Sequence, residues 1–276
     1  MVDVFFDIET KELLDQNVPD PGAAIRALHM SVGVSWCECH DAQVFHGTAP
    51  LAEHLLAHDR IIGFNNIHFD NTVLAWSLAS RRGHSQIQSG LDASRDDLRL
   101  ERPVHDSFDS VTGKRSVEKP VAKHHADASS GSSVFQGRDA VRLPDAPAEL
   151  KKLLDAKSFD LLADLAARLG HRVSLAALAE GTLGKQKMAS GPQAVVWNRL
   201  AVTLRDKWPY ALADVGDTEG AQRVNELGRW FQERLEQYCL QDVLLAKKIF
   251  DYGIANKRVA FVDFEGERRV VKVQWR

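Results

Sequence analysis

The sequence predicts an α/β fold, a mixed β-sheet flanked by helices with a C-terminal β-hairpin, on three observations. Short apolar, β-branched runs crowd the N-terminal part, helical apolar spacing dominates the C-terminal half, and the last residues form two strands around an acidic Gly turn. Residues 2–8 read as a first strand, and residues 29–37 and 43–46 as two more joined by Asp and Gly turn residues, giving an antiparallel meander. Residues 50–58 have helical spacing, 60–64 form a short buried strand, and 71–82 form an amphipathic helix ending near Gly83. The order β-β-β-α-β-α makes the sheet a mixed one.

The segment from 83 to 147 differs. It is rich in Ser, Asp, His, Lys and Arg, includes the run Ala128-Ser-Ser-Gly-Ser-Ser133, and has little periodicity, so it is expected to be a mobile insertion. Lys114, Arg115, Lys119 and Lys123 within it are candidate phosphate contacts, or equally the charges of a solvated loop. Regular structure is expected again at residues 157–162, with Asp160 on a strand, then a helix to Leu169 closed by Gly170. A helix begins at 174–180, a long one covers 224–252, and strands at 259–264 and 268–275 make the hairpin. The 276 residues carry no internal repeat and are expected to form one domain, 1–276.

Composition narrows the class. Hydrophobic residues at 44% and charged residues at 26% match a soluble globular protein, and no stretch approaches the ~20 apolar residues of a membrane span. Met1-Val-Asp-Val-Phe-Phe-Asp7 has neither a basic region nor a cleavage site, which predicts a cytoplasmic protein without a membrane partner. Three cysteines make an odd count that suits a reducing compartment. Cys37 and Cys39 form a C-x-C pair that could contribute to a soft-metal site, but no second Cys or His pair follows at finger-like spacing, so zinc is not expected. The net charge of −3 offers no global attraction to nucleic acid; clustered carboxylates reverse that locally once cations bind.

Three patterns carry candidate chemistry. Asp7 and Glu9 lie two apart on an otherwise apolar strand and so share a face, where a divalent cation would neutralise both; a strand end reaching water is the alternative. Asp70 falls between the strand at 60–64 and the next helix, where it either serves the same site or caps that helix, as Asn71 could. Tyr238 and Asp242, four apart, share a helix face, the plain alternative being a half-exposed Tyr and a surface Asp. Scattered histidines, His124, His125 and His171, lack ligand spacing.

In order along the chain these motifs read Asp7-Ile-Glu9, Asn66-Ile-His-Phe-Asp70 and Tyr238-Cys-Leu-Gln-Asp242. Together they resemble the DEDD (DnaQ-like) superfamily of 3′→5′ exonucleases, in its DEDDy subgroup. Leu169-Gly-His-Arg-Val-Ser-Leu175, Leu178-Ala-Glu-Gly-Thr-Leu-Gly184 and the closing hairpin are similar to bacterial ribonuclease H-like exonucleases akin to family-B polymerase proofreading domains. The resemblance leaves 83–147 unmatched, and the span between Gly191 and Tyr238 is longer than expected.

The resemblance implies a ribonuclease H-like sheet and a metal-dependent 3′→5′ exonuclease acting on single-stranded ends, DNA favoured, with a role in DNA repair. It makes Asp7, Glu9, Asp70 and Asp242 ligands of two Mg²⁺ or Mn²⁺ ions ~3.5–4 Å apart, with Tyr238 orienting the attacking water. Thr10 and Phe69 are candidate substrate contacts; Asn65 and Asn66 could hold the loop or contact the terminal sugar, Lys185 and Lys187 could meet backbone phosphate or simply be solvated, and Asp160 is expected to buttress the sheet rather than bind metal. Single-stranded DNA or RNA 3′ ends, and a polymerase or helicase, are the implied partners. An RNA-trimming exoribonuclease is the alternative on the same site, because nothing in the motifs reads a 2′-hydroxyl. A non-catalytic nucleic-acid-binding or partner-interaction module is the alternative of another class.

Overall fold

A computed structural model describes residues 2–80 and 142–276. The described chain is an α/β structure built on a five-stranded sheet in the order β3-β2-β1-β4-β5, with a separate two-stranded hairpin, β6-β7. β1 (Asp3–Thr10), β2 (Met30–Cys37) and β3 (Asp41–Phe45) form the expected antiparallel meander. β4 (Arg60–Gly63) pairs parallel with β1, and β5 (Ser158–Asp160) parallel with β4. The sheet is therefore mixed, as its sequence order indicates.

Alternation along β1 divides the core. Val4, Phe6 and Ile8 face one hydrophobic cluster, with Ile25, Leu51, Leu55 and Leu74. That side is covered by α1 (Pro21–Arg26), α2 (Thr48–Leu56), the helical residues 70–80 (α3) and α4 (Pro147–Lys157). Phe5 points the other way, into a cluster with Leu178, Leu235, Val243 and Phe250. Helices α5 (Leu161–Leu169), α6 (Leu175–Leu183) and α9 (Thr218–Asn256) belong to that side, as does the hairpin of β6 (Arg258–Val262) and β7 (Arg268–Lys272). Asp7 and Glu9 continue the Phe5 face past the point where apolar side chains fill it, which the two-residue period requires.

Several expectations need correction. Regular structure resumes at Pro147 rather than at 157, as the helix α4 buries Leu150 and Leu154. Its N-terminal Pro is a helix-start signal that the flanking polar residues conceal. The strand at 157–162 shrinks to Ser158–Asp160, because the Asp160 carboxylate accepts from Leu162 N–H and Ala163 N–H and starts α5 at once. The span before Tyr238, read as merely long, holds α7 (Gly191–Asp206) and α8 (Trp208–Asp214) packed on an α9 that begins at Thr218. α1 is a further short helix between β1 and β2, opened by Asp20 accepting from Gly22 N–H.

The insertion expected at 83–147 lies outside the described residues up to 141, as do Lys114, Arg115, Lys119, Lys123, His124 and His125. Among the described residues no helix is long and apolar enough to cross a membrane.

Candidate functional site

β1, β4 and β5 run parallel, and their C-terminal ends lie side by side, the usual location of a ligand crevice in an α/β sheet. Asp7 and Glu9 close β1, the 64–69 turn and Asp70 follow β4, and Asp160 closes β5. α9 crosses the same end and carries Tyr238 and Asp242, one helical turn apart, on its buried face. A cleft of about 540 Å³ is lined by Asp7, Glu9, Asp70, Tyr238 and Asp242, with Asn65, Phe69, Arg172 and Lys187 among its other walls. Three sequence motifs thus meet in one concavity.

The loop between β4 and α3 is fixed by Asp160. Its carboxylate accepts from Asn65 N–H at 2.9 Å and Ile67 N–H at 3.2 Å, in addition to capping α5. Asn65 sits at φ +70°, a left-handed conformation Asn tolerates better than most residues, and its side-chain oxygen accepts from Arg172 at 2.8 Å. A Cβ at Gly63 would come within 2.7 Å of the Asn66 Cβ, so glycine lets this turn close directly after β4. The expected buttress role of Asp160 thus takes the form of a loop anchor.

Asn71, the other candidate cap, spends its side-chain N–H groups on Asp155 and Ser158, tying α3 to α4 and β5. Asp70 keeps its Oδ2 buried and without a hydrogen-bond partner among the described residues. The same holds for Oδ1 of Asp242. Buried carboxylate oxygens normally have partners, so two unpartnered oxygens in one acidic cleft form a donor set suited to hard divalent cations.

Electrostatics agree. Burial, and then the Asp242 charge, push the Asp7 carboxyl up to about 8. Glu9 is raised well above the carboxylate range by burial and then by Asp7 and Asp242, and Asp70 by burial and then by Asp7 and Asp160. Asp242 is also raised by burial, with Lys187 opposing the shift. The Lys187 ammonium lies 2.5 Å from Asp242 Oδ2 and 3.1 Å from the Tyr238 hydroxyl, and so supplies part of the missing positive charge. Tyr238 is buried, and its hydroxyl is raised by burial and by the Asp242 charge, so it keeps its proton.

Asp7, Glu9, Asp70, Tyr238, Asp242, Asn65, Phe69 and Lys187 all line the cleft, whereas Thr10, Asn66 and Lys185 do not. The Thr10 hydroxyl donates to the Glu12 carbonyl at 2.8 Å, and Asn66 is fully buried beneath the turn. Lys185 belongs to a separate surface hollow with Gln237, Gln241 and Lys248. His171 Nδ1 donates to the Arg172 carbonyl at 3.2 Å, and the ring packs edge-on against Phe261 rather than joining the carboxylates.

Arg172 in the cleft wall and Cys239 behind it are two further residues of the site. Arg172 forms a cationic rim, visible in the sequence only as part of the Leu169–Leu175 segment. Cys239 lies behind β1, where its thiol donates to the Asp7 carbonyl at 3.3 Å and comes within 3.7 Å of Asp7 Oδ2. Ligand atoms of Asp7, Glu9 and Cys239 all fall within 4.8 Å of one another. The thiol is held well above its usual range by burial and by the nearby acids, so in the metal-free protein it forms a neutral wall behind the carboxylates. No model of a known protein family matches the chain, and no curated protein matches its sequence.

Proposed function

We propose that the chain is a metal-dependent 3′→5′ exonuclease of the DEDDy type on a ribonuclease H-like sheet, hydrolysing single-stranded nucleic-acid ends to 5′-nucleotides. One observation carries this reading: Asp7, Glu9, Asp70 and Asp242, from three elements separated widely in sequence, line one cleft beside Tyr238. The sheet supports the ribonuclease H-like part, with an antiparallel β3-β2-β1 meander continued by parallel β4 and β5.

Asp7, Glu9, Asp70 and Asp242 are the residues that would hold the cations. The two unpartnered oxygens, on Asp70 and Asp242, favour that role over one in internal hydrogen bonding. Divalent cations held by these carboxylates would neutralise phosphate charge and lower the pKa of an attacking water. The protonated Tyr238 hydroxyl accepts from Lys187 and bonds to the Asp242 carboxylate, so it would help to orient a water beside that carboxylate, a positioning part rather than base catalysis. Arg172, held against Asn65 at the rim, suits a backbone phosphate. Phe69, half-buried in the wall, offers an apolar face for the terminal base.

The test is incubation of 5′-labelled single-stranded DNA and RNA of matched sequence with Mg²⁺, Mn²⁺ or EDTA. A metal-dependent ladder shortening from the 3′ end is expected, and the faster ladder identifies the preferred sugar. A folded chain that binds either oligonucleotide without shortening it favours the non-catalytic module.

A further inference from the structure

A second group of potential ligands lies on the meander, away from the cleft. β2 ends at Cys37 and β3 starts at Asp41, which pairs with Cys37, so Glu38, Cys39 and His40 form a three-residue hairpin connection. Asp41 adopts φ +54°, the left-handed step that closes such a turn. The turn folds Cys37, Cys39 and His40 together. His40 Nδ1 is 3.3 Å from Cys37 Sγ and 3.1 Å from Cys39 Sγ, and the two sulfurs are 2.7 Å apart.

The fourth group comes from beyond α2. His58 Nδ1 faces the His54 carbonyl at 2.8 Å, a contact in which the ring nitrogen can only donate. In the neutral ring this leaves Nε2 as a lone pair, and Nε2 is 3.7 Å from Cys39 Sγ. A backbone carbonyl holding the far nitrogen of an imidazole is the usual outer support of a metal-binding histidine. Lys157 Nζ donates to the Leu56 and His58 carbonyls at 2.6 and 2.8 Å, which fixes the segment that carries His58.

We propose that Cys37, Cys39, His40 and His58 form a tetrahedral Cys₂His₂ site for a zinc ion. Their four ligand atoms lie within 4.8 Å of one another. Zinc bond lengths of ~2.3 Å to sulfur and ~2.0–2.1 Å to nitrogen place tetrahedral ligand atoms roughly 3.3–3.8 Å apart, close to the sulfur–nitrogen separations of 3.1, 3.3 and 3.7 Å, while the sulfurs, 2.7 Å apart, would separate by about 1 Å on binding through rotation of the exposed Cys39 side chain. On binding, the two thiols release two protons to solvent and become thiolates, which balance the dipositive ion. Cys39 is exposed and Cys37 buried, so the site has an entry at the surface and an anchor in the core. The ion would clamp the β2–β3 turn to the residues between α2 and β4. Its role is structural: Cys37 lies three residues along β2 from Val34, the partner of Asp7. The sequence spacing C-x-C-H followed by a distant His hides the set, because the fourth ligand is supplied by the fold rather than by a local repeat.

Cobalt(II) added alone to the reduced full-length chain tests this. The expected result is a near-ultraviolet thiolate-to-cobalt charge-transfer band with tetrahedral visible bands, both erased by one equivalent of zinc. The bands should persist in Cys239→Ser and vanish in Cys39→Ser, whose substituted side chain is exposed and whose fold circular dichroism can verify. His40→Ala, as a second variant, should weaken cobalt affinity and alter the visible bands. No charge-transfer band in the parent chain, a band retained in Cys39→Ser, or a Cys37–Cys39 disulfide whose reduction yields no metal uptake would each overturn the proposal.

Discussion

Lys187 and Asp242 form a largely buried ion pair, Nζ to Oδ2 at 2.5 Å, within the cleft that gathers the carboxylates. The ammonium also lies 5.1 Å from the centre of the Tyr238 ring. It bonds to Oδ2 and leaves Oδ1 of the same carboxylate without a partner among the described residues. On the proposed reading, a cation held at the unpartnered Oδ1 would compete with this ammonium for the charge of one carboxylate.

Lys187→Met removes that competitor while keeping an apolar stem. The metal-free protein should lose about 1–3 kcal/mol, because Asp242 is left buried without its partner. Its melting-temperature gain on adding Mn²⁺ should exceed that of the parent chain. A smaller gain in thermal-shift measurements would mean that Lys187 and the cation do not share Asp242.

Asp7→Asn acts in opposite directions on stability and on turnover. Removing one charge from a mutually repelling group should stabilise the metal-free fold by about 1–3 kcal/mol in urea unfolding, a common cost of building an active site. Hydrolysis should fall on the order of 10³-fold or more, since an amide is a poor hard-cation ligand. Destabilisation of the metal-free protein would contradict the repulsion argued here.

The pH dependence follows from the same shifts. Asp7 titrates near 3.8 when unfolded and is pushed up to about 8 when folded. The folded state thus binds more protons than the unfolded state between those values, and stability falls as pH rises through that window. Glu9 and Asp70, raised in the same direction, add to the slope. Metal-free melting temperature should decline from pH 5 to pH 8, and the gain from Mn²⁺ should grow over the same range. A metal-free profile that rises with pH would reverse the sign and refute the account of the carboxylate cluster.

Asp160→Ala should damage both fold and site. The side chain caps α5 and anchors the Asn65 and Ile67 N–H groups of the loop that leads to Asp70. The expected loss is about 2–4 kcal/mol from one cap and the loop contacts together. Asp160→Asn, which retains an acceptor, should recover part of both stability and turnover; equal behaviour of the two variants would remove the anchoring role.

What could be read in the sequence was whatever depended on local periodicity. The alternation in residues 2–8 locates the sheet face of Asp7 and Glu9, and the four-residue step from Tyr238 to Asp242 puts both on one face of α9. α7 escaped because its buried residues are mostly small, Ala194, Val195 and Ala201 with Asn198, and leave no strong apolar stripe. Lys187 reads in sequence as a phosphate contact or a solvated charge, and its pairing with Asp242 in the cleft is visible only in the fold; Lys185, two residues earlier, lies elsewhere. Arg172 reaches the cleft only through its contact with Asn65, and His58 meets Cys39 only because α2 returns beside the β2–β3 turn. Those are long-range pairings, which no window of sequence can display.

The most direct measurement follows a single-stranded oligonucleotide labelled on its 3′-terminal nucleotide through the first turnover, with Mn²⁺, for the parent chain and Asp242→Asn. The account predicts that the label appears first as a 5′-mononucleotide, only with metal, and not in the variant. Label released in longer fragments, or at equal rates with EDTA or from Asp242→Asn, would contradict it.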